Sequence, residues 1–393
     1  MTSKEEHIRQ VVDEISGDWE ADSSIIFGTE QQRKKLLHAS RNRRFKGWKR
    51  SGTCVYPGCT QASIPKSHTL QRNGPLALIA ENGHVVAPAI GPDGTIRVGK
   101  VGINLASTFA GFCEEHEQIF TDFEEVGEIS QEQHVAKQAF RTVCREIAIR
   151  KFSMEEGEKD LAAYHETRAR FFRDRLQAAI PGAELKSVSI EGDTREEEPL
   201  RILKQAREMI IELSSLKARL ADIIEGRKAQ ADILAWNLPL EIPVALSGAL
   251  LPMYRKRSEK IRTAPIAVGV IPQNGRTVVY LSSLSNHRQF LIGWYNKFKF
   301  GLSGLNLIEQ WMVHGTDHWY LPPSLWASLT QTRQTEIEQL IQSEEFAVDV
   351  DPAPSIFDNL RLLMLRELEG QQNTENRSRV DQIVAEERAK LPQ

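Results

Sequence analysis

The stretch CVYPGCTQASIPKSH, residues 54 to 68, places two of the chain's four cysteines five positions apart across a turn and follows them with a histidine. Three chemistries use such a stretch: a disulfide, a structural metal site, or the front half of a catalytic metal site. Length and composition help to choose among them. The chain has 393 residues, 40% hydrophobic and 26% charged, enough for two or three domains with cores of their own. Its opening, MTSKEEHIRQVVDEISGDWE, is polar and acidic with no apolar leader segment. No apolar run approaches the roughly 18 residues that suggest a membrane span. The expectation is a cytoplasmic protein with no membrane partner. A reducing compartment keeps thiols free and directs paired cysteines toward metals or catalysis rather than a disulfide.

A second stretch, FCEEHEQIFTDFEE at residues 112 to 125, supplies what CVYPGC lacks. Cys113 and His116 are three apart, so on the first turn of a helix they share a face and can grip one ion. The upstream pair lies on a turn with Pro57 and Gly58, a backbone able to bend two thiolates toward one point. Cys54, Cys59, Cys113 and His116 together make a Cys3His set for tetrahedral structural zinc. Cys144, in HVAKQAFRTVCREIAIRKF, is left over and reads as a small buried apolar residue.

With these motifs in place, residues from about 50 to 125 resemble the HNH, or ββα-metal, nucleases. In that family a turn-borne cysteine pair, a strand carrying a histidine and a helix opening with a second ligand pair form a treble-clef module. The resemblance implies a general base about nine residues past the second cysteine, which is His68, and a catalytic-metal ligand directly after the last zinc ligand, which is Glu117. It also implies Mg2+ or Mn2+ as a second, catalytic ion beside the zinc. The chemistry suits these residue types. Phosphodiester cleavage needs a base to take a proton from water and a cation to neutralise phosphate charge, tasks that fit a neutral imidazole and a carboxylate-held hard ion. The other readings are a hydrogen-bonding role for His68 and a helix-dipole role for Glu117, shared with Glu114 and Glu115. This chain departs from the family pattern at Ser67, where many relatives carry an acidic residue or another histidine. It departs also at Thr121, and in lacking the usual asparagine before the helix, where Ser107, Thr108 and Asn104 are the neighbours. The connection between His68 and Cys113 is long, and GHVVAPAIGPDGTIRVGKVG within it reads as an inserted β-hairpin with His84 at its turn.

Upstream, nine lysines and arginines and no acidic residue fall from Arg33 through Arg50. Arg41, Arg43, Arg44, Lys46, Trp48, Lys49 and Arg50 form the densest part, a strip suited to neutralising phosphates and stacking on bases. The expected partner is nucleic acid, DNA ahead of RNA. The alternative is a solvated basic helix. A formal net charge of -3 means that such affinity must come from local clustering.

Beyond the module the pattern turns helical. QEQHVAKQAFRTVCREIAIRKF and SMEEGEKDLAAYHETRARFFRDRLQAAI lead to a loop after Pro181, and a long helix opens around Glu196, Glu197, Glu198 and Pro199. Lys217 interrupts its apolar stripe, which favours an antiparallel helical hairpin and leaves a homodimer or protein partner through this region as a second use. From about residue 237, EIPVALSGAL, APIAVGVI and RTVVYLSSL read as strands, the last two joined by a QNGR hairpin turn. Helices are expected at Gln331 to Ser343 and Asn359 to Glu367, with a polar tail after Glu369. His314, Asp317 and His318 offer a second metal reading, but Gly315 and the following prolines favour a loop whose neighbours Trp319, Tyr320 and Trp326 pack the domain. No phosphate-binding loop, dinucleotide fingerprint or nucleophile elbow is present.

The sequence therefore predicts a multidomain α+β protein. Its parts are a basic helical region (1–50), a treble-clef zinc module with an inserted β-hairpin (51–126), a helical middle (127–236), a C-terminal α+β domain (237–370) and a polar tail (371–393). The expected function is a metal-dependent endonuclease of HNH-like type, in the setting of a regulated prokaryotic defence (phage defence) nuclease. The alternative is a non-catalytic zinc-stabilised protein that binds nucleic acid or serves as an interaction or sensor module.

Overall fold

A computed structural model of the chain describes residues 3–21, 52–91, 95–180, 194–255, 261–298, 301–342, 354–370 and 377–391. The basic strip with Arg41, Arg43, Arg44, Lys46, Trp48, Lys49 and Arg50 lies outside the described residues. In chain order the elements are α1 (Ser3–Ala21), β1 (Ser67–His68), β2 (His84–Ile90), β3 (Ile96–Gly102), β4 (Thr108–Phe109), α2 (Glu114–Glu117), α3 (Thr121–Val126), α4 (Glu132–Ala179) and α5 (Thr194–Ile224). Strands β5 (Ala231–Leu238), β6 (Ala245–Leu250), β7 (Met253–Arg255), β8 (Ile261–Thr263), β9 (Ile266–Gln273) and β10 (Arg276–Leu284) come next. They are followed by α6 (Arg288–Lys297), α7 (Gly301–Gln310), β11 (Trp319–Tyr320), α8 (Pro323–Ser328), α9 (Gln331–Gln342), α10 (Asp358–Gly370) and α11 (Arg377–Arg388). The mixture of helix and sheet agrees with an α+β class, and no described helix is long and apolar enough to cross a membrane.

The described residues divide into two units. One contains α1, α4 from Ile149 onward and α5 as far as Ile210, and is wholly helical. Its core is aromatic: Trp19 of α1 packs on Tyr164, Phe171 and Phe172 of α4. Helices α4 and α5 run antiparallel here, because Glu158 pairs with Arg207 while Arg168, three turns further along α4, pairs with Glu196 near the start of α5. Gly157 marks their close approach, since a Cβ there would stand 3.1 Å from a Leu203 methyl. The expected helical hairpin is present, and α4 runs through as one helix of 48 residues where the sequence suggested two successive segments.

The other unit is built on a five-stranded antiparallel sheet of order β11-β6-β9-β10-β5. Strands β6 and β9 are buried along their whole length, so both sheet faces are covered. The faces differ in side-chain size, and the period-two alternation of a strand decides which residue goes where. Leu246, Val268, Val270, Val279 and Leu281 join Trp294, Phe298, Trp311 and Met312 in the main apolar core under α6 and α7. The opposite face carries Ser247, Gly269 and Tyr280 in one row across β6, β9 and β10. A Cβ on Gly269 would lie 2.0 Å from the Tyr280 ring, so glycine is what lets that ring lie across the strand. There Thr142 of α4 meets both hydroxyls, at 2.7 Å from Ser247 Oγ and 2.7 Å from Tyr280 Oη. The first half of α4 is thus buried on all sides from Gln138 to Ile147, and its polar residues are drawn into internal networks.

The QNGR turn is as expected, with Gly275 in the left-handed region between β9 and β10. The β2–β3 hairpin is also present, and it is docked: Val86 exchanges both backbone hydrogen bonds with Leu321, at 2.9 and 3.0 Å. Two elements differ from expectation. Strand β5 begins at Ala231, inside the stretch read as helical, because its alternation is masked by a face that packs Trp236 on Tyr295 and Phe298. The polar tail carries helix α11, held through Glu387 by the buried Arg361.

Candidate metal centre and adjoining site

Cys54, Cys59, Cys113 and His116 come together, their ligand atoms all within 4.8 Å of one another. The backbone explains the meeting. The turn after Cys54 is closed by Cys59 N–H donating to Tyr56 O at 3.2 Å, with Gly58 in the left-handed conformation that only glycine adopts freely. That ribbon is then tied to the segment before Cys113 by Val55 N–H to Gly111 O (2.9 Å) and Ile64 N–H to Phe112 O (2.7 Å). Cys113 is the N-cap of α2, so His116 follows on the same first turn.

The spacing of the donors fits a tetrahedral ion. Ligands about 2.3 Å from a common zinc stand about 3.7 Å apart. Here Cys59 Sγ and Cys113 Sγ are 3.9 Å apart, Cys54 Sγ and His116 Nδ1 3.7 Å, and Cys113 Sγ and His116 Nδ1 3.1 Å. Burial pushes the Cys54 thiol up to about 11, a poor value for a thiolate without a cation beside it. Against burial, the backbone N–H groups of His116 and Glu115 at the helix start hold the Cys113 thiol below its ordinary value. Among the described residues this is the one group of three or more such side chains placed to hold a metal ion, and a soft Cys3His set suits an ion such as zinc. Around it, the Tyr56 ring stacks on His116, Tyr56 Oη donates to Glu225 at 2.6 Å, and Lys217 Nζ donates to Val55 O at 3.1 Å. Lys217, which broke the apolar stripe of α5, is therefore a brace on the cysteine turn.

His68 and Glu117 adjoin this centre. His68 lies on β1, whose register with β4 sets Ser67 opposite Phe109 and His68 opposite Thr108. Its Nε2 is buried without a hydrogen-bond partner. Burial first, then the charges of Arg141, Arg72 and Lys66, lower the His68 pKa to about 4, which makes it a neutral imidazole at pH 7. Glu117 Oε1 accepts from Arg141 Nη2 at 3.3 Å, and Oε2 is buried with no hydrogen-bond partner. Burial raises the Glu117 pKa, while Arg141 and the Ser67 hydroxyl beside it pull it down. Ser67 is thus a neighbour of the Glu117 carboxylate.

The shared neighbour is Arg141 of α4. It is fully buried, its guanidinium lies 3.8 Å from the centroid of Phe120, and it donates to Glu124 Oε1 at 2.5 Å as well as to Glu117. Reading the sequence singled out neither Arg141 nor Glu124. The available signal was the arginine embedded in KQAFRTVC, too apolar a surrounding for a residue that merely faces water. Beyond Glu124 opens a cavity of about 610 Å³ lined by Gln71, Asn73, Thr121, Glu124, Glu128 and Asn274, among others. It borders the Arg141 ion pair and includes neither His68 nor Glu117.

Comparison with protein-family models, with curated proteins and with solved structures gave no match. The site's meaning rests on its own chemistry.

The other candidates have local roles. His84 is exposed and its Nδ1 meets Asn82 O at 2.8 Å; Thr121 Oγ1 donates back to Gln118 O; Asn104 Oδ1 accepts from Arg72 at 3.1 Å. His318 is a structural link, donating from Nδ1 to Ser247 O at 2.5 Å and accepting at Nε2 from Ser107 Oγ at 3.0 Å. Burial takes its pKa well below the ordinary histidine value. His314, Asp317 and His318 form no metal-ligating group among the described residues.

Two buried polar atoms near the Cys3His centre have no hydrogen-bond partner. They are Glu117 Oε2 and His68 Nε2, and a carboxylate oxygen is the atom that would hold a hard divalent ion there. Arg141 already occupies the other carboxylate oxygen.

Proposed function

We propose that the chain is a metal-dependent nucleic-acid endonuclease of HNH type, its module a zinc-stapled treble clef. The observation that carries the reading is the placement of His68, nine residues past the second cysteine: its Nε2 is buried without a hydrogen-bond partner, and its ring lies in the field of the same Arg141 that pairs with Glu117. A general base must be neutral at the working pH and have a ring nitrogen not already engaged by another group. In this reading Cys54, Cys59, Cys113 and His116 hold zinc, which staples the cysteine turn to α2. Glu117 holds a catalytic Mg2+ or Mn2+, which when bound neutralises charge on the scissile phosphate and the leaving oxygen. His68 takes the proton from the attacking water. The basic strip from Arg33 to Arg50 contacts the phosphate backbone, DNA ahead of RNA. The large remainder of the chain suits control of cleavage by a ligand or partner, as in a prokaryotic defence nuclease acting on phage DNA.

The experiment is a nicking assay on plasmid DNA and on RNA with Mg2+ or Mn2+. The wild-type protein cleaves, and His68→Ala loses at least about 100-fold in rate, the scale of a positioned base, with its zinc content unchanged. A second reading, a zinc-stapled binding module without catalysis, is favoured by one observation: a guanidinium rather than a ligand donor faces Glu117. It expects salt-sensitive nucleic-acid binding, no cleavage with any divalent ion, and a His68→Ala protein indistinguishable from wild type.

A further inference from the structure

Arg141 lies outside the cysteine–histidine motifs of the sequence, yet it is the side chain through which the elements of the site meet. It reaches from α4 between two carboxylates, 2.5 Å from Glu124 Oε1 and 3.3 Å from Glu117 Oε1, with its planar group against Phe120. Its own Nε is buried without a partner. So are Glu117 Oε2 and His68 Nε2, which gives three residues of one site each a polar atom left over.

We infer that Arg141 is a positioning residue that competes with the divalent cation for Glu117: its guanidinium holds one carboxylate oxygen in the resting protein and passes to Glu124 when an ion takes Glu117. The inference rests on the reading of Glu117 as the ligand of a hard ion. A cation and a guanidinium on one carboxylate repel, and in a partly buried site that repulsion is only weakly screened. The two contacts are unequal, the shorter being to Glu124, so the guanidinium has a second seat that it already half occupies. Glu124 lies at the wall of the cavity, and Glu117 and Glu124 stand two turns apart on one helical stretch from Glu114 to Val126. A small rotation of the guanidinium over Phe120 is all that the transfer requires.

The test is Mn2+ binding to the zinc-loaded, full-length protein, followed by loss of the free-ion electron paramagnetic resonance signal, with nicking assayed in parallel. Arg141→Gln is expected to bind Mn2+ about tenfold or more tightly than wild type, and the gain is expected to vanish in the Glu117→Gln/Arg141→Gln double variant. Equal affinity in Arg141→Gln and wild type, or a gain that survives loss of Glu117, overturns the inference. Where Arg141→Gln does not retain its zinc and its melting transition, Glu124→Gln decides. It leaves the guanidinium a single carboxylate, so Mn2+ binding at Glu117 falls below detection, whereas binding equal to wild type overturns the proposal. The two readings fail separately. A gain in Mn2+ affinity without cleavage by any variant removes the nuclease and keeps the competition; cleavage that needs His68 without a gain in affinity does the reverse.

Discussion

Tyr56 lies flat against His116, ring centroids 4.0 Å apart and planes within 17°. Tyr56, one of the four residues between the two cysteines of the turn, thereby fixes the orientation of the imidazole on the helix, and its hydroxyl is anchored in turn by Glu225, just past the end of α5. An imidazole held this way presents Nδ1 to the three sulfurs without having to give up rotamer freedom when the ion arrives.

The first prediction follows from that stack. Tyr56→Ala is expected to weaken zinc binding by about 10- to 100-fold, the range for residues that orient a ligand, as measured by competition with a chromophoric chelator. Tyr56→Phe keeps the ring and loses only an exposed hydrogen bond, so its zinc affinity is expected to stay within about threefold of wild type. Equal zinc affinity in Tyr56→Ala and wild type would show that the stack is incidental. Cys59→Ser is expected to lose zinc altogether and to lower the melting temperature, because ion binding at such a site contributes directly to folding.

His68 supplies the second. Its folded-state pKa of about 4 lies below the ordinary histidine value, so between about pH 6.5 and pH 4 the unfolded chain binds a proton that the folded chain does not. Stability from this group is present at neutral pH and is lost as pH falls through that window. Nitrogen-detected NMR of labelled histidine is expected to show the His68 ring neutral at pH 5.5. A midpoint near 6.5 contradicts the burial on which the assignment depends. Arg141→Gln removes one of the charges that lower the value, so its midpoint is expected to move upward.

The parts of this site that were legible in the sequence are those in which chemistry is written in short spacings. CVYPGC and CEEH each place two ligands within one turn, and residue type alone told that they belong together across the 53 intervening positions. The QNGR turn and the β-branched runs of β9 and β10 were legible for a similar reason, since turn and strand preferences act locally. Strands β1, β4 and β11 have two residues each, too few for any period to register. Arg141 was hidden by a different cause. A helix buried all round has no polar face, so an arginine in it looks like one more exposed charge until the partners on α2 and α3 are known. Helix α11 was hidden because its fixing interaction is an ion pair with a distant arginine rather than an apolar stripe.

The third prediction concerns His318, the link between the sheet and the loop that precedes β4. The ring donates to Ser247 O and accepts from Ser107 Oγ, and Ser107 Oγ accepts from Leu70 N–H at 2.8 Å, so one histidine joins β6 to the turn after His68. His318→Ala removes the donor to Ser247 O and the acceptor of the Ser107 hydroxyl, both buried, and is expected to destabilise the protein by about 1–3 kcal/mol in urea denaturation. Zinc content is expected to be unchanged, since no metal ligand is lost. A variant that loses zinc while keeping its stability would give the histidine a different role.

The fourth concerns the C-terminal helix. Arg361 is fully buried and ion-pairs with Glu309 of α7, itself only 1% exposed, and with Glu387 of α11. It also donates to Ser355 Oγ at 3.1 Å and Asn306 Oδ1 at 2.6 Å, while Glu309 Oε1 accepts from the backbone of Ile356 at 2.8 Å and Phe357 at 3.2 Å. Every oxygen of Glu309 is therefore spoken for, and the carboxylate depends on the guanidinium for its counter-charge. Arg361→Met leaves that charge buried and alone, at a cost of about 3–5 kcal/mol. Glu387→Gln is expected to be milder, about 1–2 kcal/mol, because Asn306 and Arg361 keep their other partners and the amide can still accept hydrogen bonds. The two variants also differ in where they act. Hydrogen exchange in Glu387→Gln is expected to rise in Arg377–Arg388 first, whereas Arg361→Met loosens α7 and α10 together with α11. A Glu387→Gln protein with unchanged exchange in that helix would mean that apolar contacts of Val380 and Val384 with Leu365, and not the ion pair, hold the tail in place.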